Sequence, residues 1–276
     1  MLELHCHTTC SDGILSPTEL VVMAVQAGVK GLAISDHDTL AGWEEAVEAA
    51  QPYHLEIIPA VELSTVWRGR SLHLLGFYPD PQLLNPPLQE RQQGRMRRAA
   101  AMLDKLATLG YPITLPFRNL SPGRPHIAQA LVEAGYVRNS REAFDRFLAE
   151  GGSAFVPYEK FSAVEGIDLL RRCGAVPVWA HPPLFKGDSV ERTLRDLVAA
   201  GLLGLEVYHP EHSRTTTATL LDLANRYHLL ITGGSDYHGP NPRGHSLNMM
   251  KLEMKLLDRL KQVHQAFCML PVQEKN

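Results

Sequence analysis

Leu2-Glu3-Leu4-His5-Cys6-His7 and Gly31-Leu32-Ala33-Ile34-Ser35-Asp36-His37-Asp38 are two apolar runs that each finish in histidine. Between them, Ser16-Pro17-Thr18-Glu19 is a helix start: a serine cap, proline at the first helical position and glutamate three residues after the cap. The helix is expected to run through Ala24 and stop near Gly28. Strand, helix, strand is the unit of a parallel α/β layout, and it places both histidine-bearing strand ends on one side of the sheet.

Outward from this unit the alternation continues. A second helix is expected through Trp43 and Ala50, and a strand over Glu56–Leu63. Thr65–Trp67 and Ser71–Phe77 read as a hairpin turning around Gly69-Arg70. Asn85-Pro86-Pro87 interrupts the pattern. A long polar helix is expected over Leu88–Leu109, with further helices over Pro125–Ala134 and Arg141–Ala149. After Ser162 the alternation resumes, with strands at Ala175–Ala180, Gly204–Tyr208 and Leu229–Thr232. Helices are expected at Ser189–Ala200, Thr215–Tyr227 and Lys255–Phe267. Six or seven strands interleaved with helices suit a closed or distorted barrel better than an open sheet. The expected organisation is an α/β barrel over 1–84 and 166–276, with a mainly helical insertion over 85–165. That insertion holds 11 Lys+Arg against 8 Asp+Glu, a net +3 inside a scaffold of net −6. It could face an anion, or it could be an ordinary solvated helical subdomain.

Composition narrows the classes. With 276 residues, 45% of them hydrophobic, the chain can bury a large core. A net charge of −3 gives no sign of a nucleic-acid coat or a membrane surface. No apolar run is long enough to cross a bilayer, and the start lacks the pattern of a signal peptide. Cys6, Cys10, Cys173 and Cys268 follow no framework spacing, so reduced thiols and a cytoplasmic location are expected.

The 13 histidines are numerous for this length, and most lie in short apolar runs. His5 and His7 stand two apart, so both rings can reach one ion. Asp12 follows in the loop, and later strands end at His37, at Glu62 and at His181. His73 lies inside Leu72-His73-Leu74, and the last strand ends Gly233-Gly234-Ser235-Asp236-Tyr237-His238. Each has a bland reading alone: His73 as a hydrogen-bonded core residue, Asp36 or Asp38 as a turn residue, His181 as a loop residue before Pro182. Together, six histidines, two aspartates and one glutamate at or near strand ends point to metal. Imidazole suits zinc, iron and manganese, and carboxylates can bridge two ions. A phosphate ester needs Lewis acids on its oxygens and a hydroxide near neutral pH, which clustered metals supply.

The ordered set His5-x-His7, Asp12, His37, Glu62, His73, His181, Asp236-x-His238 resembles the nine-ligand signature of the polymerase-and-histidinol-phosphatase (PHP) superfamily. The insertion with Arg124-Pro125-His126-Ile127 is similar to that of the nucleoside 3′,5′-bisphosphate phosphatases, which are also described as 5′-to-3′ exoribonucleases of the RNase AM type. The resemblance implies a distorted seven-stranded barrel with two or three divalent ions, manganese first, with zinc, iron(II) or magnesium as alternatives. One metal would take His5, His7, Glu62 and Asp236. A second would share Glu62 and add His73 and His181, and a third would take Asp12, His37 and His238. Asp12 stands where some relatives carry histidine, which implies a weaker third site or one suited to a harder ion.

Further roles follow from the chemistry of phosphoryl transfer. His209, just past the strand end Glu206-Val207-Tyr208, is the candidate acid for the leaving oxygen or a phosphate contact, with Asp12 and His37 as its catalytic companions. Arg124 and His126 are candidates for a second phosphate, since a guanidinium can grip phosphate through two hydrogen bonds. Lys160 and Arg243 are weaker candidates. Asp36 and Asp38 are expected to orient metal-bound histidines. The expected substrates are a nucleoside 3′,5′-bisphosphate or a short 5′-phosphorylated oligonucleotide, with no membrane partner and no long-duplex binding. A histidinol-phosphate phosphatase and a non-catalytic scaffold are the alternatives.

Overall fold

The computed structural model describes residues 1–115, 122–157, 161–240 and 244–269. Its frame is one seven-stranded sheet whose spatial order follows the chain. The strands are β1 (Leu2–Glu3), β2 (Gly31–Ile34), β3 (Glu56–Trp67), β4 (Arg70–Phe77), β5 (Val176–Trp179), β6 (Gly204–Tyr208) and β7 (Leu230–Gly233). β4 runs antiparallel to both neighbours, and the remaining pairs are parallel. The segments beyond β1 and β7 close the ring: His7 N–H donates to the Tyr237 carbonyl (2.8 Å) and Tyr237 N–H to that of His5 (3.3 Å). This is the distorted barrel expected from the alternation.

Helices cover it: α1 (Pro17–Gln26), α2 (Trp43–Ala50), α6 (Ala163–Arg172), α7 (Val190–Ala199), α8 (Arg214–Arg226) and α9 (Lys255–Met269), with α3 (Pro81–Thr108), α4 (Arg124–Glu133) and α5 (Ser140–Ala143) in the insertion. The reciprocal cap at α1 forms as read, with Ser16 Oγ accepting from Glu19 N–H and Glu19 from Ser16 N–H.

Alternation along the strands explains how a core and a polar site share one barrel. On β3, Ile58, Ala60 and Glu62 fall on one face, and on β4 so do Phe77, Leu75 and His73. The apolar members pack with Leu2, Leu4, Val176, Val178 and, from α9, Leu257 and Leu260. Each fully buried leucine contributes about 1.5–3 kcal/mol. The next positions towards the other end are the histidine and the glutamate. Gly76 lets α6 lie against β4, because a Cβ there would come within 2.3 Å of Leu170 Cδ2. Residues 99–154 supply a separate apolar cluster around Met102, Leu106, Ile127, Leu131, Phe147 and Leu148.

Several local expectations are corrected. β1 is only two residues long, so His5 and His7 stand in the irregular segment after it. β3 is continuous to Trp67, and the hairpin turns on Arg68 and Gly69, both with positive φ, as a two-residue turn between paired strands requires. The prolines at 86 and 87 lie inside α3, which starts earlier at Pro81 because Asp80 Oδ1 caps Gln82 N–H (2.8 Å). The two ladder bonds they remove would end on the carbonyls of Gln82 and Leu83, two exposed residues in the first turn of the helix. The expected helix over 141–149 is a short α5 that passes into a π-helical turn over Phe144–Leu148.

Candidate metal centre

Every strand that carries an expected ligand delivers it to one mouth of the barrel. For β4 the reason differs from the one read in the sequence. His73 lies near the beginning of its strand, and the antiparallel direction brings that end to the mouth, with His73 opposite Ser64 of β3.

Glu62 is the hub. Its Oε2 lies 3.2 Å from His5 Nε2, 3.1 Å from His7 Nε2 and 3.2 Å from His37 Nδ1. Its Oε1 lies 2.8 Å from His73 Nδ1 and 3.0 Å from His181 Nε2. Asp236 Oδ1 faces the same histidines, 3.3 Å from His5 Nε2 and 3.2 Å from His7 Nε2. Asp12 sits on the other side, with Oδ1 3.2 Å from His238 Nε2 and Oδ2 3.7 Å from His37 Nε2. Three clusters have donor atoms close enough for one ion each: His5, His7, Glu62 and Asp236; His7, Asp12, His37 and His238; and His37, Glu62 and His73. The first is the quartet expected for the first metal. The second joins His7 to the expected trio, and the third sets His37 beside Glu62 and His73.

The donor set fits divalent cations. His5 Nε2, His7 Nε2 and Asp236 Oδ1 are buried and have no hydrogen-bond partner among the described residues. Spacings near 3.2 Å are what separate two ligand atoms that each lie about 2.1 Å from a common ion. Buried polar atoms without partners are rare because each costs a lost interaction with water, so their convergence marks a place for positive charge.

Electrostatics agree. Burial pushes the Glu62 and Asp236 carboxyls up, but the surrounding histidines outweigh it and hold both well below the usual carboxylate range. Burial pushes His7 down, yet Asp236 and Glu62 lift it to about 10. Burial carries His37 down to about 3. The cluster therefore traps protons that a cation displaces.

Three loops at the mouth hold non-glycine residues with positive φ: Asp38 (51°), His181 (32°) and Asp236 (48°). Two of them are expected ligands, and strain of this kind gathers at functional sites.

Asp36 reaches His7 through Ser11, whose Oγ lies 3.5 Å from His7 Nδ1. Asp36 accepts from Thr8 N–H (2.7 Å), Thr8 Oγ1 (2.6 Å) and Ser11 Oγ (2.5 Å), so it shapes the loop between His7 and Asp12. Asp38 pairs with Arg91 Nε (3.1 Å) and Arg95 Nη1 (2.9 Å), joining α3 to the residue after His37. The arginines Arg91 and Arg95 and the acid Glu206 are site residues that sequence reading passed over. A helical Arg pair four apart was the available signal for the first two.

His209 is buried beside the cluster, with Nε2 3.7 Å from Asp236 Oδ2. Its Nδ1 accepts from Glu211 N–H (3.1 Å), so the ring proton of the neutral form is on Nε2, facing the site. His126 and Arg124 diverge. His126 Nδ1 accepts from Gly123 N–H (3.0 Å), and burial pushes the ring below the ordinary imidazole value, against the pull of nearby Asp12. Gly123 belongs to this side too, since a Cβ there would lie 3.2 Å from Arg95 Nη2 and 3.6 Å from Asp12 Oδ2. Arg124 faces the opposite side, in a cavity of about 530 Å³ that reaches His73 and His181. Its guanidinium stands over the rings of Phe144 (5.6 Å) and Phe155 (5.9 Å). Lys186, Phe185 and Arg70, which pairs with Glu150, line the same cavity. Lys160 and Arg243 lie outside the described residues. Among the described residues no helix is long and apolar enough to cross a membrane.

A family model for the PHP domain matches residues 3–110. The chain is 37% identical over 246 residues to a 5′-3′ exoribonuclease of Haemophilus influenzae, covering 86% of this chain and 90% of that one. It is 31% identical to a 3′,5′-nucleoside bisphosphate phosphatase of Chromobacterium violaceum, over 88% of this chain and 89% of the other. A solved Bifidobacterium adolescentis structure, provisionally described as a metal-dependent phosphoesterase, superposes with a TM-score of 0.82 at 33% identity, with 94% of each chain covered.

Proposed function

This chain belongs to the PHP family of metal-dependent phosphoesterases, and we propose that it hydrolyses the 3′ phosphate ester of nucleoside 3′,5′-bisphosphates and trims short 5′-phosphorylated oligonucleotides from the 5′ end. The observation that carries this reading is the cavity that runs from His73 and His181 to Arg124 and Lys186, with Phe144 and Phe185 along its wall. A substrate with one phosphate and a small amine has no use for a second cationic pole. A nucleotide has, and its base offers a face that aromatic side chains stack on without regard to sequence.

The ligand residues in this reading are His5, His7, Asp12, His37, Glu62, His73, His181, Asp236 and His238, and manganese suits their mixed imidazole and carboxylate set. Bound divalent ions supply Lewis acidity towards the phosphoryl oxygens and a deprotonated water near neutral pH. The chain's own groups do the rest. Arg124, beside the rings of Phe144 and Phe155, grips the 5′ phosphate and fixes the distance to the scissile ester. His126, with Nδ1 occupied by Gly123, turns an Nε2–H towards the Asp12 side. His209 holds a proton on Nε2 for the leaving 3′ oxygen. Asp12 and His37 anchor the side of the site nearest the insertion, whose described residues cap it. The four cysteines are free thiols, which accords with a cytoplasmic enzyme.

Arg124→Ala tests the clamp. Losing a charged two-bond contact is expected to lower kcat/KM on a 5′-phosphorylated oligonucleotide roughly tenfold to a hundredfold. Activity on the same oligonucleotide with a 5′ hydroxyl should stay unchanged. Equal losses on both substrates would remove Arg124 as the phosphate contact.

A further inference from the structure

Glu206, near the end of β6, is completely buried and touches two of the proposed ligands at once. Its Oε1 accepts from His5 Nδ1 at 2.9 Å, and its Oε2 accepts from the backbone N–H of His181 at 2.7 Å. His5 follows β1 and His181 follows β5, so one carboxylate joins ligands from two separate strands. We infer that Glu206 is a positioning residue of the metal centre, setting the tautomer of the His5 ring and the backbone conformation of His181. This rests on the metal-centre reading given above.

A neutral ring carries one N–H and one lone pair. A carboxylate at Nδ1 keeps the proton there and leaves the lone pair on Nε2. His5 Nε2 is the atom that faces Glu62 Oε2 (3.2 Å) and Asp236 Oδ1 (3.3 Å). With the proton moved to Nε2, the ring would donate to those carboxylates and present no lone pair to a cation.

His181 has φ 32° and ψ 59°, a left-handed conformation that a residue with a Cβ adopts reluctantly. Pro182 follows it, and the residue before a proline is driven towards extended backbone. The bond from His181 N–H to Glu206 opposes that drive. It holds the ring where Nε2 lies 3.0 Å from Glu62 Oε1.

The two oxygens of Glu206 serve two donors, which makes Glu206→Gln informative. Glutamine keeps the shape but offers one oxygen, and its amide meets the other donor with a donor of its own. Glu206→Ala removes both acceptors.

The test uses the full chain, stripped of metal. Nitrogen NMR of the histidine rings, in protein reloaded with diamagnetic zinc, reports which nitrogen of His5 keeps its proton, and manganese titration by calorimetry reports affinity. Far-UV circular dichroism and the thermal midpoint establish that each variant is folded. The wild type should show His5 protonated at Nδ1. Glu206→Ala should lose that preference and bind manganese about 10- to 100-fold more weakly, the range typical of an outer partner of a ligand. Glu206→Gln should fall between them, and it carries the test if the alanine variant does not fold. Folded variants that keep the His5 tautomer and bind manganese as tightly as the wild type would overturn the positioning role. Wild-type protein that takes up no manganese would instead overturn the metal-centre reading on which it stands.

Discussion

Glu62→Ala is expected to lower kcat/KM by at least roughly a thousandfold, since the charge stabilisation a bound metal supplies is worth several kcal/mol. No other side chain in the cluster meets as many expected ligands. One oxygen faces His5, His7 and His37, and the other faces His73 and His181. Its removal takes the negative centre out of two of the three candidate ion positions at once. It also leaves five imidazoles packed in a buried pocket with Asp236 and Asp12 as the nearest remaining carboxylates, and His73 and His181 lose theirs, which destabilises the metal-free state. Metal analysis should show the variant retaining at most the ion associated with Asp12, His37 and His238. A Glu62→Ala protein that kept full metal content and activity would show that the hub lies elsewhere.

The second large effect belongs to His209. Its Nδ1 is taken by the Glu211 N–H, so the proton it can give is on Nε2, 3.7 Å from Asp236 Oδ2. A positioned general acid typically contributes 10²–10⁴-fold. His209→Ala is therefore expected to lower kcat on a nucleoside 3′,5′-bisphosphate by roughly that factor, with metal content unchanged. A nitrophenyl phosphate ester leaves without help from an acid, and its hydrolysis should lose much less. Equal losses on the two substrates would mean that His209 holds the phosphate or the metal site and does not deliver the proton.

Much of this architecture was legible because the chain is locally consistent. The capping box at Ser16 to Glu19 and the apolar runs ending in histidine gave the barrel and its mouth before any coordinates. The expected ligands could be listed because each stands in a strand or in the loop after one, and eight of the nine, all but His181, fall in the three clusters of donor atoms. What escaped depends on long-range packing. The expected hairpin already makes β4 antiparallel, but Leu72-His73-Leu74 by itself does not show that this direction carries His73 to the mouth. Pro86 and Pro87 read as a break, since sequence alone does not show that Asp80 and Pro81 start the helix before them. Asp36 and Asp38 invited a role beside the histidines by adjacency. Their partners are Thr8 and Ser11 for one and Arg91 and Arg95 for the other, and the last two lie more than fifty residues away. Glu206 stood in view at a strand end. Nothing in Glu206-Val207-Tyr208 tells a carboxylate that binds an ion from one that orients the ligands.

Of the two relatives compared above, one is a 5′-3′ exoribonuclease and the other a 3′,5′-nucleoside bisphosphate phosphatase. One site serves both if a terminal phosphate is read in the Arg124 and Lys186 cavity while an ester is cut beside Glu62. The most direct measurement is product analysis on manganese-loaded protein given adenosine 3′,5′-bisphosphate, a 5′-phosphorylated short RNA, the same RNA with a 5′ hydroxyl, and histidinol phosphate. The expected result is inorganic phosphate and AMP from the bisphosphate, and mononucleotides from the 5′-phosphorylated RNA far faster than from its 5′-hydroxyl counterpart. Turnover of histidinol phosphate alone, or equal rates on the two RNAs with no release from the bisphosphate, would contradict it.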